Sequence, residues 1–448
     1  MSGQHHYSPP REQLVAALRT KTMPDALKKG GLIVGVLGMI LFAVGAATGE
    51  ARAWQAFLMN WLFFTTIASA AVMFAAVQRI VTARWSRGVI RFLEGFVAFL
   101  PIAAIGLLVI VFGGKGHIYP WWDLVGTGEL IPEKETYFNH GFFYLRNVLI
   151  FAALLALQIW YVWTSVRLDV GVIKDDFGAS WAAGLRAKMR AGFGEERREL
   201  HSTHSLQGKL AVVMALIFGF GWCVLAWDHS MSLDYHFFST MYGWQVFMGG
   251  WLVALMIWAV LLRFYKGMFP ELPELITEKH YHDIGKLCFA FTAFWGYITF
   301  SQFLIIWYGN LAEETHFFTL RLTGVWKTTT MAAALLTFIL PFFGLLSVKA
   351  KTFSPTMILF ACSSFFGLWF SRYTEIYPSI YGTKVDHLPL GFWELGIFAG
   401  FLGLFAWSYA QFMDAFPKAQ VFKMTSPYRD EVQVPVDPDT MEPLPAHE

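Results

Sequence analysis

The chain has 448 residues, enough for several soluble domains, but 56% of them are hydrophobic, 18% aromatic and only 15% charged. Soluble domains carry roughly a quarter charged residues, so this composition excludes a soluble protein and indicates an integral membrane one. A net charge of +2 with no Lys/Arg-rich block offers nucleic acid no binding face. Cys223, Cys288 and Cys362 stand in three separate apolar segments, so no disulfide framework, thiolate metal site or covalent haem attachment can be read from their spacing.

A helix crossing the hydrocarbon core needs about 20 apolar residues. Ten such segments are predicted, near residues 30–48, 53–78, 90–113, 141–165, 208–228, 240–263, 284–309, 322–347, 354–378 and 391–414. The chain therefore divides into an N-terminal tail (1–29), a ten-helix all-α transmembrane domain (30–414) and a C-terminal tail (415–448). The polar stretch before the first segment, with no small-residue cleavage site after it, predicts that this segment is retained. An even number of crossings puts both termini on one side, and positive charge identifies the side. Only Arg52, Lys115, Lys134, Arg146, Arg321, Lys327, Arg372 and Lys384 fall on the opposite side, leaving 26 of the 34 Lys and Arg with the termini, which are thus expected to be cytoplasmic.

The outer loop 114–140 combines Asp123, Glu129, Glu133 and Glu135 with His117, His140, Tyr119, Trp121 and Trp122, as a docking loop for an extramembrane partner would. In the inner loop 166–207, Trp181, Leu185 and Met189 recur every four residues, the pattern of an amphipathic helix lying on lipid headgroups. From Thr425 onward, five prolines and six acids predict an extended tail.

Ionisable residues are expensive in hydrocarbon and usually face a bundle interior or water. The densest group runs from Trp227 to His236, where Asp228, His229, Asp234 and His236 place two carboxylates and two imidazoles at the outer end of the fifth helix. Such groups can relay protons; they also suit a solvated loop whose Asp caps the next helix. Arg372 and Glu375, three apart in the ninth helix, fit either a site or an intrahelical ion pair. Arg146 and Asn147 suit an interfacial anchor, and Glu94 an inner proton entrance or a partner of Arg91 or Arg87. Glu394 suits the positive end of the tenth helix. The polar residues Asn60, Thr65, Thr66 and Ser69, like Thr299, Ser301 and Gln302, fit helix–helix contacts better than a hydrated path. No histidine lies near the centre of a predicted helix, so paired axial haem ligands are not expected.

The segments Trp227-Asp228-His229-Ser230-Met231-Ser232-Leu233-Asp234, Tyr242-Gly243-Trp244-Gln245 and Ser301-Gln302-Phe303-Leu304-Ile305-Ile306-Trp307-Tyr308-Gly309-Asn310-Leu311 carry a family resemblance over about residues 30–415. The chain resembles the F subunit of bacterial alternative complex III, a quinol:cytochrome c or acceptor oxidoreductase, and more distantly the NrfD/polysulfide-reductase membrane anchors. The resemblance implies two four-helix bundles, from helices two to five and six to nine, plus two further helices. It also implies a bacterial inner-membrane location beside a sister NrfD-like subunit, a periplasmic iron–sulfur protein and c-type cytochromes. Haem and iron–sulfur clusters would then belong to those partners, and this chain would contribute a scaffold, quinone or menaquinone binding and proton conduction. A secondary transporter and a purely structural membrane subunit are the competing expectations.

Overall fold

The computed structural model describes residues 10–130, 132–173 and 177–432. Parts of four expectations lie outside these residues: positions 1–9 of the first tail, 131 of the outer loop, 174–176 of the inner loop and 433–448 of the last tail. The described residues form an all-α integral membrane protein with ten helices long and apolar enough to cross a bilayer. These are α1 (Ala26–Ala47), α2 (Ala51–Ile80), α3 (Arg91–Gly113), α4 (His140–Val172), α5 (Glu196–Leu233), α6 (Thr240–Met268), α7 (Glu278–Gly309), α8 (Trp326–Gly344), α9 (Ser354–Tyr381) and α10 (Phe392–Ala415).

Helix packing produces two closed rings. In the first, α2 meets α3, α3 meets α4, α4 meets α5 and α5 returns to α2; α6 to α9 close in the same order. The rings join through α6, which lies along both α2 and α5, and through α2 against α9. Helix α2 is the hub, and its apolar stretch is buried along its length. Polar side chains on α2 tie it to its neighbours. Trp369 Nε1 donates to Asn60 Oδ1 (2.9 Å), and Ser69 Oγ accepts from Trp222 Nε1 (2.9 Å) and Gln158 Nε2 (2.9 Å). These residues serve as contacts between helices, since an unpaired polar group in the apolar interior would cost more than the bond returns.

Helices α1 and α10 stand outside the rings and pack on each other more closely than any ordinary pair. A Cβ on Gly38 would lie 2.3 Å from the Cα of Gly400, and one on Gly403 would lie 2.5 Å from the Gly31 carbonyl oxygen. Only glycine permits this approach.

The described parts of the two terminal segments meet at the inner end of the bundle. Arg11 pairs with Glu196 (2.5 Å) at the start of α5 and donates to Thr425 Oγ1 (3.0 Å). The last segment departs from the expected tail at 415–448. Its first part is built into the core, where Val421 and Phe422 are fully buried and the Phe422 amide donates to Asp169 (2.7 Å). The inner loop is also shorter than expected, because α4 runs on to Val172 and α5 begins at Glu196. Its amphipathic portion is the two-turn helix Ala183–Arg190, in which Leu185 is exposed and Met189 buried, with Trp181 exposed in the turn just before it. The buried Arg186 donates to the Ala415 carbonyl (3.0 Å) at the end of α10, where unpaired helix carbonyls attract a cation.

Candidate functional site

The outer end of the first ring gathers most of the residues singled out above. Helix α5 leaves helical geometry at Ser230 and tightens into the turn Met231–Leu233, while Ser232 Oγ donates to the Asp228 carbonyl (2.6 Å). This geometry holds Asp228 and His229 inside the bundle, both 0% exposed, rather than in a solvated loop. Asp228 faces α4. Its carboxylate accepts from Arg146 Nε (2.7 Å), Arg146 Nη2 (2.7 Å), Asn147 Nδ2 (2.7 Å) and Tyr137 Oη (2.8 Å), which fills its four lone-pair positions. Arg146 is likewise no interfacial anchor: it is buried, stacks 3.9 Å from the Tyr137 ring centroid and donates to the Tyr137 carbonyl (2.5 Å). Asp228 is therefore not the helix cap of a solvated loop, and its basic partner comes from another helix.

His229 looks the other way. Its Nδ1 lies 2.7 Å from Tyr119 Oη, and its ring meets Trp61 edge-on with centroids 5.3 Å apart. Burial and the Asp228 charge push the Tyr119 and Tyr137 hydroxyls well above the usual tyrosine range, so both stay protonated, and Tyr137 donates to Asp228. The other ring nitrogen of His229, Nε2, is buried without a hydrogen-bond partner. Asp228 and His229 thus have separate hydrogen-bond partners.

The aromatic run of the outer loop belongs to this core. Tyr119, Trp121 and Trp122 are buried; Trp121 Nε1 donates to Ser232 Oγ (3.2 Å), and Trp122 stacks on His140 at 3.9 Å. Asp123, Glu129 and Glu133 remain exposed. Asp234 and His236 lie farther out, where Lys134 Nζ donates to the carbonyls of Tyr235 (2.6 Å) and His236 (3.2 Å). Burial lowers the Lys134 ammonium, with Glu313 and Asp234 opposing that shift. Beside the cluster lies a cavity of about 250 Å³ lined by Lys134, Tyr137, Trp227, Met231, Phe237 and Phe238 among others.

The remaining candidates are distributed among three places. Glu394 closes its own helix start by accepting from the Gly391 amide (2.8 Å) and also binds Arg52 (2.7 Å) and Tyr377 Oη (3.1 Å). Glu94, at the inner end, pairs with Arg91 (2.7 Å), which also holds Asp169 (2.5 Å); Ser165 Oγ and Gln420 Nε2 donate to the Glu94 carboxylate at 2.8 and 3.0 Å. An inner cavity of about 70 Å³, with Arg79, His204 and Lys423 in its wall, reaches Glu94. Arg372 and Glu375 form the intrahelical pair in α9, and Ser371 Oγ adds a bond to Glu375 (3.0 Å).

Sequence reasoning overlooked Arg321. The helix Ala312–Leu322 carries it back into the second ring, where its Nε donates to the Thr374 carbonyl (2.8 Å) and its Nη2 to the Glu375 carbonyl (3.0 Å) and Ser379 Oγ (2.6 Å). Burial pushes its guanidinium down to about 10, still cationic at neutral pH. Its place in an apolar stretch, among Phe317, Phe318 and Leu322, was the available signal. Asp169 and Gln420 gave none, because their partners lie 78 and 326 residues away.

Fold and site together define a multi-pass membrane protein with charged groups buried at both ends of its helices. No family model and no curated protein matches the chain.

Proposed function

We propose that the chain is a membrane subunit of a bacterial respiratory quinol-oxidising complex of the alternative complex III type. It sits in the inner membrane with both termini cytoplasmic. It supports electron transfer from quinol to a cytochrome c or other acceptor as a scaffold with a quinone-side surface and a proton path, while the redox centres reside in partner subunits. The observation that carries this reading is the outer constellation. The stretch Trp227–Asp234, on which the family resemblance rests, converges with Tyr119, Trp121, Arg146 and Asn147 into one buried cluster beside an apolar cavity. A lipid-soluble quinone ring would meet Tyr137, Trp227 and Ser232 in that cavity.

Two further features agree. The Arg91–Glu94–Asp169 group at the inner end, reached by its own cavity, offers a place for protons to enter. The third resembling stretch, Ser301–Leu311, exposes Trp307 and Tyr308 on the outer part of α7 and Leu311 just beyond it, which suits contact with a sister membrane subunit. A transporter fits less well. The irregular turns Gly95–Phe99 in α3 and Leu335–Ile339 in α8 fall in the second helix of one ring and the third of the other, not in matched positions.

The test is genetic and biochemical. Membranes from cells lacking the chain should lose quinol-dependent cytochrome c reduction and regain it with the native gene. An unchanged rate in its absence would overturn the proposal.

A further inference from the structure

The second ring holds a cavity of about 410 Å³, separated from the outer cavity beside Asp228 by the stacked rings of Phe237 and Phe317. That volume is in the range that holds a small organic ligand. Its walls come from α6, α7, α8, α9 and the helix Ala312–Leu322, and they include the aromatic side chains Trp295, Phe300, Phe303, Phe317, Phe318 and Phe338. The shape depends on a break in α8. The π-helical turn Leu335–Ile339 precedes Pro341, which has no N–H to continue the ladder, and the turn throws Phe338 toward α7. There the Phe338 ring stands 2.4 Å from where a Cβ of Gly296 would be. On its other side, Thr337 packs the turn against Gly367 of α9.

One end of the cavity is polar, and its chemistry is selective. Arg321 commits four of its five N–H donors to protein acceptors, the carbonyls of Phe317, Thr374 and Glu375 and Ser379 Oγ. It has little to offer a phosphate or carboxylate. The hydroxyls of Thr299 and Thr330 are spent on carbonyls of their own helices or loops, and Tyr242 Oη is engaged with Ser230 Oγ (2.6 Å). Glu375 differs. It is 95% buried by its 5% exposure, lines the cavity, and each carboxylate oxygen accepts a single bond, from Ser371 or from Arg372. Each oxygen therefore keeps an unfilled lone-pair position. Glu375 asks for a neutral donor, and the same lining holds the unpartnered indole N–H of Trp295 and the amide of Gln245.

Phe300 and Leu322, also in the lining, are exposed on the surface of the bundle. We propose that this cavity binds a membrane-soluble aromatic alcohol, its ring among Phe303, Phe317 and Phe318, its hydroxyl donating to Glu375 and its hydrocarbon tail passing out by Phe300. Aromatic walls favour a flat ring by offset and edge contacts, and the buried carboxylate selects for the hydroxyl. The inference stands on the cavity alone and holds whether or not the chain belongs to a quinol-oxidising complex.

The experiment uses the full chain in phosphatidylcholine nanodiscs and a photoactivatable 4-alkylphenol with a diazirine in its chain, with labelled residues mapped by mass spectrometry. Labels should concentrate in 296–303, 317–322 and 330–338. Unlabelled 4-decylphenol should suppress them about tenfold better than its methyl ether, the ratio expected for one hydrogen bond to a charged acceptor. Ala334→Phe, which fills the cavity, should reduce labelling about tenfold at an unchanged melting temperature. In Glu375→Leu/Arg372→Leu, which removes the carboxylate without stranding its guanidinium, the preference for phenol over ether should vanish. Labels spread evenly over the lipid-facing helices would overturn the proposal, as would equal competition by the ether in the native chain. If the double variant fails to fold, the ether comparison and Ala334→Phe decide the matter.

Discussion

Asp228 illustrates how burial changes the meaning of a charged residue. In the sequence it stands next to His229 in a connection without Lys or Arg, which invites a relay; in three dimensions its partners come from α4 and the outer loop, 81 to 91 residues away. Removing one partner of a buried ion pair typically costs about 3–5 kcal/mol, because the other charge is left without compensation. Asp228→Asn should therefore destabilise the protein by roughly that amount, although Asn keeps the size. Arg146→Met should behave alike, while the double variant should recover most of the loss. A double-mutant cycle of thermal unfolding in detergent checks this, and additive losses would mean that the pair is not coupled. His229→Gln should cost only about 1 kcal/mol, the usual worth of one hydrogen bond, read in the same assay. The residue types at this site were legible from the sequence. Their roles were not, since hydrogen-bond partners separated by whole helices leave no local pattern.

At the scale of elements, hydropathy located the ten spans because a crossing helix must be apolar for about 20 residues wherever it packs. It could not reveal that α4 and α5 extend beyond the bilayer at their inner ends, where charged residues such as Arg167 and Glu199 pair with each other. It also missed the seam between α1 and α10, although Gly31, Gly35 and Gly38 facing Gly396, Gly400 and Gly403 is the small-residue spacing that brings membrane helices together. Gly400→Leu should separate the two helices, since even a Cβ there would lie 2.7 Å from the Cα of Gly38. Cysteines placed at Leu41 and Gly396 should cross-link in the native chain and lose that link in Gly400→Leu. An undiminished link would show that the seam tolerates side chains.

The final segment is another element whose behaviour can be predicted. Arg87 binds Asp430 (2.8 Å) and Arg197 binds Glu431 (2.8 Å), and these partners hold both carboxylates below their ordinary range. A carboxylate whose titration is depressed by folding stabilises the fold above its unfolded pKa and ceases to do so as the pH falls through the folded one. The segment should therefore stay docked at neutral pH and loosen below about pH 4, where carboxylates begin to protonate. Limited proteolysis at Arg429 with an acid-stable protease, across that range, would detect it. Cleavage independent of pH would show that Val421 and Phe422 alone anchor the segment.

For the whole molecule, composition and charge asymmetry had already defined a multi-pass protein, and the rings of α2–α5 and α6–α9 have the arrangement that the family resemblance implies. What the sequence could not convey is how the rings share a hub. Helix α2 reads as one more apolar span, yet it contacts both rings and α10 as well. Orientation remains a prediction from the 26 to 8 division of positive charge. Reporters fused to either terminus should be active in the cytoplasm, and one inserted near Lys134 should be active outside it. The opposite pattern would invert every assignment of inner and outer end made above.

The respiratory role is tested most directly by purifying the tagged chain from its native membrane in mild detergent and recording optical and paramagnetic spectra of the product. The proposal predicts a complex in which this chain accompanies c-type cytochromes and an iron–sulfur protein in fixed proportion, with no haem in preparations stripped of those partners. A chain that purifies alone under conditions preserving other respiratory complexes, with neither haem nor cluster signals, would contradict it.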